Sequence, residues 1–283
     1  MAQVSRIIRR AFLQLLPERT RLGLLERHPN FRRAAPPGMQ LRFDRFLGEF
    51  SVEIDTRFPV ERKMWSGTYD DALQRLLRDW IRPDSVCCDI GANVGAITLA
   101  MAQNLKGGSG RVYAFEPAPP TFARLRANIA LNASVRDRIT AVNLGLGEKP
   151  GELRWTEEAD NPGNGGMLAA SAGDGIAVQV TTLDAFSAQH ALTRLDAMKI
   201  DVESMEYDVF RGGDAVLRKF RPRIFFETMP RSKGLRGADI FDKIEAWLRE
   251  RGYDLFRPDR HGNLTPTGAA HFGNNTVALP RAK

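Results

Sequence analysis

Apolar and polar positions alternate along the chain in blocks that predict strands and helices in turn. From residue 84 onward, short apolar runs are each followed by a stretch whose apolar residues recur at helical spacing. The predicted strands are Val86 to Asp89, Arg111 to Phe115, Ile139 to Leu144, the run that ends around Asp201, and Arg223 to Phe226. The predicted helices are Asp70 to Ile81, Val94 to Gln103 and Pro120 to Leu131. This order is typical of a doubly wound α/β fold with a mostly parallel sheet.

Two further segments carry strand or turn signals. Phe50 to Ile54 predicts a strand ahead of the first helix. Residues 151–180, which include the turn Asn164-Gly165-Gly166, predict an inserted hairpin or lid that could close over a substrate. Pro36-Pro37-Gly38 marks a linker. We therefore expect an N-terminal extension over residues 1–37 and one domain over residues 38–283.

The positive charge of the chain is concentrated in its first 35 residues. Of the formal net charge of +7, eight arginines against two glutamates give residues 1–35 a net +6 and leave +1 for the remainder. The nearly neutral body argues against a nucleic-acid partner. Apolar residues at helical spacing between Ile7 and Leu16 predict a short basic amphipathic helix. We expect this helix to contact its own domain or a second subunit of a homo-oligomer, or alternatively an anionic membrane surface or a carrier protein.

The two cysteines, Cys87 and Cys88, are neighbours on a predicted buried strand. Their side chains point to opposite faces, so they predict core packing in a reducing compartment and no disulfide. Arginines interrupt the first apolar run, and no run reaches the length of a membrane span. We therefore expect a cytoplasmic protein, with the extension allowing peripheral contact with the inner membrane surface.

A cofactor-binding loop is predicted directly after the strand that begins at Val86. The sequence Asp89-Ile-Gly-Ala-Asn-Val-Gly95 places a carboxylate at the strand end and glycines where backbone and ligand would approach closely. Glu116 follows the next strand, and a carboxylate there can accept both hydroxyls of a ribose. A dinucleotide loop also has an acidic residue near this position but reads Gly-x-Gly-x-x-Gly, whereas Asn93 occupies its second glycine position. S-adenosylmethionine therefore fits this loop better than NAD.

The stretch Gly145-Leu146-Gly147 follows the predicted strand that begins at Ile139. Its small residues could lie flat against an adenine ring at the ligand-bearing edge of the sheet. Alternatively, the glycines terminate the strand and have no ligand.

A second dense cluster of polar residues lies in the sequence Lys199-Ile-Asp201-Val-Glu203. Period-2 alternation places the three charged side chains on one side of a strand, which is costly in a buried sheet and is explained by a cleft at the carboxyl end of the strand. Glu227 ends the next apolar run, so it would lie at the same edge. The alternatives are a structural ion pair between Lys199 and Asp201, and a role for Glu203 as a helix N-terminal charge.

Several ordered motifs resemble the FkbM-type methyltransferases, over about residues 52 to 280. They are Asp89 to Gly95, Phe115-Glu116-Pro117, Asn128 to Asn132, Thr181 to Asp184, Lys199 to Glu203 and Arg221 to Glu227. The FkbM-type methyltransferases are class I S-adenosylmethionine-dependent enzymes with a seven-stranded Rossmann-like sheet, and they methylate hydroxyl groups of natural products and sugars. The family usually has glycine at the position of Ser204. The resemblance also implies a closing antiparallel hairpin, formed by Tyr253 to Arg257 and Asn275 to Leu279.

The resemblance implies a role for each motif in cofactor binding. Asp89, Gly91, Asn93 and Gly95 would surround the methionine portion of the cofactor. Glu116, followed by Pro117, would bind the ribose, the stretch Leu144, Gly145 and Leu146 would contact the adenine, and Asp201 would lie beside the cofactor.

The expected chemistry is methyl transfer to a hydroxyl of a small molecule, sugar, glycan or glycolipid. Asp201 is the first candidate for the base and Glu227 the second, while Lys199 could lower the cost of a developing alkoxide. Alternatively, Asp201, Glu227 and Glu203 could hold Mg²⁺, which would bind the hydroxyl. Two other functions compete with this one: a cofactor-binding protein without catalysis that acts through the basic extension, and a nucleic-acid methyltransferase.

Overall fold

The computed structural model describes residues 38, 40–66, 69–158, 161–169, 175–228, 240–268 and 274–282. The helices are α1 (Pro59–Ser66), α2 (Asp71–Trp80), α3 (Ala96–Gln103), α4 (Pro119–Ala130), α5 (Leu183–Gln189), α6 (Glu206–Gly212), α7 (Asp214–Phe220) and α8 (Ile240–Glu250). The strands are β1 (Gln40–Phe46), β2 (Phe50–Asp55), β3 (Val86–Ile90), β4 (Arg111–Phe115), β5 (Ile139–Val142), β6 (Gly145–Leu146), β7 (Gly151–Glu158), β8 (Asn161–Ala169), β9 (Ile176–Thr181), β10 (Ala197–Ile200), β11 (Arg223–Glu227), β12 (Tyr253–Pro258), β13 (Leu264–Pro266) and β14 (Asn275–Pro280). The predicted extension, residues 1–37, lies outside the described residues.

The described residues form two compact units, and the smaller one contains those up to residue 70 together with 161–163. In this unit β1 and β2 form an antiparallel hairpin, and α1 follows. Phe43 of β1 packs edge-on against Trp65 of α1, with ring centroids 5.1 Å apart. The strand predicted over Phe50 to Ile54 is confirmed as β2, whereas β1 and α1 were not predicted.

The larger unit is built on a sheet of eight strands in the order β13-β12-β14-β11-β10-β3-β4-β5. Five neighbouring strands of this sheet are parallel, namely β5, β4, β3, β10 and β11. Strand β14 runs antiparallel to both β11 and β12. This confirms the Rossmann-like α/β fold and its closing antiparallel hairpin, with β13 as one edge strand more than the predicted seven. Strand order reverses between β3 and β10, and open α/β sheets bind ligands at the carboxyl ends of strands at such a point.

One face of the sheet packs into a continuous apolar core. Ile90, Ile200 and Phe226 lie on adjacent strands of this core and are almost fully buried. Cys87 and Cys88 are unpaired and fully buried, and burial raises the pKa of both thiols. The cysteines therefore pack the core, as predicted.

The chain leaves this sheet earlier than the sequence predicted. The apolar run from Ile139 to Leu144 was predicted as one strand, but β5 ends at Val142. Gly145–Leu146 then pairs in parallel with β9, in a separate sheet of order β6-β9-β7-β8. Competition from β9, more than 30 residues away in sequence, redirects the chain and corrects this prediction. The predicted insertion over residues 151–180 is thus largely sheet, but the turn expected at Asn164-Gly165-Gly166 is wrong, because these residues lie within β8. Residues 159–160 and 170–174 lie outside the described part.

The predicted helices are confirmed to within two residues at each end. In α2 the buried residues Leu73, Leu76, Leu77 and Trp80 form the expected apolar face. Among the residues that the structure describes, no helix is both long and apolar enough to cross a membrane.

Candidate active site at the carboxyl ends of the central strands

A buried lysine joins the two strands at the point where strand order reverses. Lys199 of β10 pairs with Asp89 of β3 across the sheet, and only 5% of Lys199 is exposed. Its Nζ donates a hydrogen bond to the Gly91 carbonyl oxygen at 2.6 Å and lies 3.5 Å from both Asp89 Oδ1 and Asp201 Oδ2. Because a buried ammonium is costly unless it is paired, these contacts hold the three strand-end residues around it.

Asp89 is fully buried beneath the loop that follows β3. Its Oδ2 accepts a 2.6 Å hydrogen bond from the hydroxyl of Thr98, whereas Oδ1 has no hydrogen-bond donor among the described residues. Among the described residues, Asp89 forms an ion pair with Lys199, at 3.5 Å. Thr98 was not predicted as a site residue, although it is a lone hydroxyl among the otherwise apolar buried residues of α3.

The loop from Gly91 to Gly95 is held by backbone contacts. The amides of Gly91 and Ala92 both donate to the Phe115 carbonyl oxygen, at 3.0 and 2.8 Å. Gly91, Asn93 and Gly95 all have positive φ, with values of 77°, 51° and 96°. This run of left-handed residues ends the strand and delays the start of α3 to Ala96.

Protein atoms explain why glycine is needed in this loop. A Cβ on Gly91 would lie 1.9 Å from the main-chain oxygen of Asp201, and one on Gly95 would lie 2.9 Å from Leu125 Cδ1. From the sequence, a ligand was expected to approach the backbone at these glycines. The observed neighbours are instead a carbonyl at the end of β10 and a side chain of α4.

Glu116 anchors the same loop from the neighbouring strand. Its Oε2 accepts a hydrogen bond from the Asn93 amide at 2.9 Å, and its Oε1 accepts one from the Ala118 amide, beyond Pro117, at 3.0 Å. Burial raises the pKa of Glu116 to about 7, although both amide hydrogen bonds favour the ionised form. Each carboxylate oxygen can accept a second hydrogen bond, so Glu116 can hold the loop and still bind two ligand hydroxyls.

Asn143 holds the backbone next to Glu116, and it was not predicted as a site residue from the sequence. Its Nδ2 donates to the carbonyl oxygens of Glu116 and Pro117, at 2.9 and 3.0 Å. The next residue, Leu144, is half-buried, and Gly145 and Leu146 are buried in β6. The predicted adenine-contacting residues thus directly follow a residue that fixes the backbone of Glu116.

Three carboxylates converge where β10 and β11 end. One oxygen from each of Asp201, Glu203 and Glu227 lies within 4.8 Å of the others. Burial is the main cause that raises the pKa of Glu227 to about 9, and the charge of Asp201 and a hydrogen bond with Asp201 add to it. These causes all favour the protonated form of Glu227.

Glu203 reaches this cluster by a different path from the one predicted. The alternation of polar residues predicted that Lys199, Asp201 and Glu203 lie on one side of a single strand, but β10 ends at Ile200. Glu203 and Ser204 have positive φ values of 52° and 75°, which ends the period-2 alternation. The turn nevertheless brings the carboxylate of Glu203 back to Asp201.

Glu206 is placed at the start of α6. It is buried, it accepts a hydrogen bond from the Val202 amide at 3.3 Å, and burial raises its pKa to about 7. Its contact with the turn that carries Glu203 indicates a supporting role for this part of the site.

The geometry is thus a loop anchored by Glu116 on one side of Lys199 and a carboxylate cluster on the other. The FkbM methyltransferase domain matches residues 89–255, which include both. The chain is 29% identical to the methyltransferase sdnD of Sordaria araneosa over 213 residues, covering 62% of this chain and 79% of that protein. It is 30% identical to the 31-O-demethyl-FK506 methyltransferase FkbM of Streptomyces tacrolimicus over 162 residues, covering 47% and 60%.

A hexuronic acid methyltransferase, AglP of Haloferax volcanii, is 28% identical over 138 residues, covering 49% of this chain and 54% of that protein. Since the domain match spans more than half of the 283 residues and contains every strand end of the candidate site, the chain belongs to the FkbM methyltransferase family.

Proposed function

We propose that the protein is an S-adenosylmethionine-dependent O-methyltransferase whose acceptor is a hydroxyl of a small molecule, sugar, glycan or glycolipid. The observation that carries this proposal is the position of the Asp201 and Glu227 carboxyls beside the loop that Glu116 anchors, with Lys199 touching both parts. On this proposal, the base for the hydroxyl and the site for the adenosine would share one edge of the sheet.

The loop fits S-adenosylmethionine on chemical grounds. Glu116 keeps one acceptor site on each oxygen for the two ribose hydroxyls, and Asn93 replaces the second glycine, which lets the backbone of a dinucleotide loop approach a pyrophosphate. Glu116 would bind the ribose, with Asn143 fixing its backbone. When bound, the cofactor supplies an activated methyl group on a sulfonium.

The chain's own residues would then act on the acceptor hydroxyl. Asp201 is half-buried and reachable, and it would take the hydroxyl proton as the oxygen–carbon bond forms and the sulfur–carbon bond breaks. The products are a methyl ether, S-adenosylhomocysteine and protonated Asp201. Lys199 lies 3.5 Å from Asp201 and would hold the carboxylate in place, while Glu227 supplies the neighbouring carboxyl.

The names of the relatives support an oxygen acceptor. One relative acts on 31-O-demethyl-FK506 and another on a hexuronic acid, so both acceptors carry hydroxyls. The test is incubation with S-adenosylmethionine labelled in its methyl group and a panel of hydroxylated acceptors. Label recovered in a methyl ether supports the proposal, whereas label recovered only in nitrogen- or carbon-linked methyl groups contradicts it.

A magnesium ion is the alternative way to activate the hydroxyl. The oxygens of Asp201, Glu203 and Glu227 lie within 4.8 Å of one another, and Mg²⁺ prefers such carboxylate ligands. Turnover that is lost after treatment with a chelator and restored by Mg²⁺ would favour the ion. Turnover that survives the chelator would favour Asp201 acting alone as the base.

A further inference from the structure

A polar residue on the antiparallel side of the sheet lies directly opposite Glu227. Glu227 of β11 pairs with Asn275 of β14. The amide of Thr228 donates to the Asn274 carbonyl oxygen at 2.7 Å, so Thr228 and Asn274 form the hydrogen-bonded pair next to it. Pairs of the two kinds alternate along antiparallel strands. Glu227 and Asn275 therefore form a non-hydrogen-bonded pair, the kind in which opposing side chains approach most closely.

Asp201, Glu227 and Asn275 present their side chains on one face of the sheet. A carboxylate oxygen of Glu227 lies within 4.8 Å of one of Asp201, and residues paired across adjacent strands, such as Glu227 and Asn275, point to the same face. With strands about 4.8 Å apart, the three side chains form a row about 10 Å long. The row begins at the candidate base and extends away from the Glu116 side of the sheet.

Asn275 lies at the start of β14, which is fastened to β11. Thr228 and Thr276, both fully buried, share a hydroxyl–hydroxyl hydrogen bond of 3.1 Å that fastens β11 to β14 beside it. Asn275 itself is half-buried. A carboxamide on a fixed strand is suited to hold a ligand in one orientation.

We propose that Asn275 is a positioning residue that binds a second hydroxyl of the acceptor, and that the acceptor is a neutral polyol of the sugar type. This inference rests on the proposed function, since it takes Asp201 as the place of the reacting hydroxyl. A carboxamide both donates and accepts a hydrogen bond without charge, as a hydroxyl does.

The test compares a polyol with a simple alcohol. Methyl α-D-glucopyranoside, methyl α-D-galactopyranoside and methyl α-D-mannopyranoside are offered as acceptors, with cyclohexanol as the alcohol that has no second hydroxyl. We expect at least one pyranoside to have a kcat/KM at least tenfold above that of cyclohexanol. We expect Asn275→Ala to lower that value about tenfold, mainly through KM, and to leave cyclohexanol unchanged within twofold. Asn275→Ser, which keeps a polar group, should recover part of the loss.

Asn274→Ala is the matched control, because Asn274 is exposed and precedes the strand, and its pyranoside kinetics should match the unaltered protein. A uniform loss on all acceptors in Asn275→Ala would show a structural role and overturn the inference. The inference would also be overturned if the protein binds S-adenosylmethionine through Glu116 but prefers none of the pyranosides to cyclohexanol. Failure to bind S-adenosylmethionine would instead overturn the proposed function.

Discussion

The α-carbon of Gly91 lies against the main-chain oxygen of Asp201, so that a Cβ on Gly91 would be 1.9 Å from that oxygen. The loop expected to hold the cofactor and the strand end that carries the candidate base are thus in direct backbone contact. Lys199 reinforces this contact, because its ammonium binds the Gly91 carbonyl oxygen and lies beside the Asp201 carboxylate. Movement of either part would disturb the other.

Gly91→Ala should therefore destabilise the protein strongly. Gly107 is a matched control, because it has the same φ of 77° but no atom within 4 Å of its Cβ position. We expect Gly107→Ala to lower the free energy of unfolding by about 1 kcal/mol through backbone strain alone. Gly91→Ala should lower it by at least about 3 kcal/mol, because backbone must also move. Urea unfolding measures the free energy of unfolding of both variants. Equal losses would show that the close approach of Gly91 to Asp201 does not contribute to the effect.

Ser204→Gly should stabilise the protein. Ser204 has a φ of 75°, a conformation that glycine adopts without a steric cost, and its neighbour Glu203 is also left-handed. We expect a gain of about 0.5–1 kcal/mol in the free energy of unfolding, since relief of strain exceeds the entropy that glycine adds to the unfolded chain. Ser204→Ala keeps the Cβ and should show no gain. Thermal unfolding of both variants tests this, and a loss of stability in the glycine variant would contradict it.

Asp201→Asn should separate catalysis from cofactor binding. An amide keeps the shape of the side chain but cannot take a proton, so we expect kcat to fall by about 10²–10⁴-fold. The Kd for S-adenosylmethionine should change less than threefold, measured by calorimetry. Asp137→Asn is the control, because the side chain of Asp137 is 88% exposed and far along the chain from the cluster. Turnover that persists in Asp201→Asn would remove Asp201 as the base.

The affinity for S-adenosylmethionine should depend on pH through Glu116. Ribose hydroxyls donate to the ionised carboxylate, and the pKa of Glu116 is about 7, so binding should weaken as pH falls and the carboxylate gains a proton. We expect a Kd about tenfold weaker at pH 6 than at pH 8. Glu206 has a pKa of about 7 as well, so Glu206→Gln should keep this dependence and Glu116→Gln should abolish it. The opposite pattern would contradict the role of Glu116.

The sequence predicted those parts of the fold whose signal is local. Strands such as β3 and β11 are short apolar runs that end in a carboxylate, and α2 shows its buried face in its spacing. The hairpin strand β1 was missed, although Leu41 and Phe43 alternate with Arg42 and Asp44 and do so because one face is buried. The early end of β5 could not be predicted, since pairing with the distant β9 decides it.

For the site, the sequence predicted that charged residues gather at one edge of the sheet, but it did not predict the individual contacts that these residues make. Lys199 and Asp89 are 110 residues apart, and the pairing of β10 with β3 brings them together. Sequence spacing indicated the charges at the strand ends, but it could not show that Lys199 would bind the Gly91 carbonyl. It also gave no sign that Asn275 faces Glu227, because that depends on the register of an antiparallel pair.

Calorimetric titration with S-adenosylmethionine, and separately with NADH, tests the central claim most directly. The protein should bind one equivalent of S-adenosylmethionine and no NADH, and Glu116→Ala should weaken that binding at least tenfold. Glu152→Ala, at an exposed position on β7, should leave it unchanged. Binding of NADH in place of S-adenosylmethionine, or S-adenosylmethionine binding that does not depend on Glu116, would contradict the account.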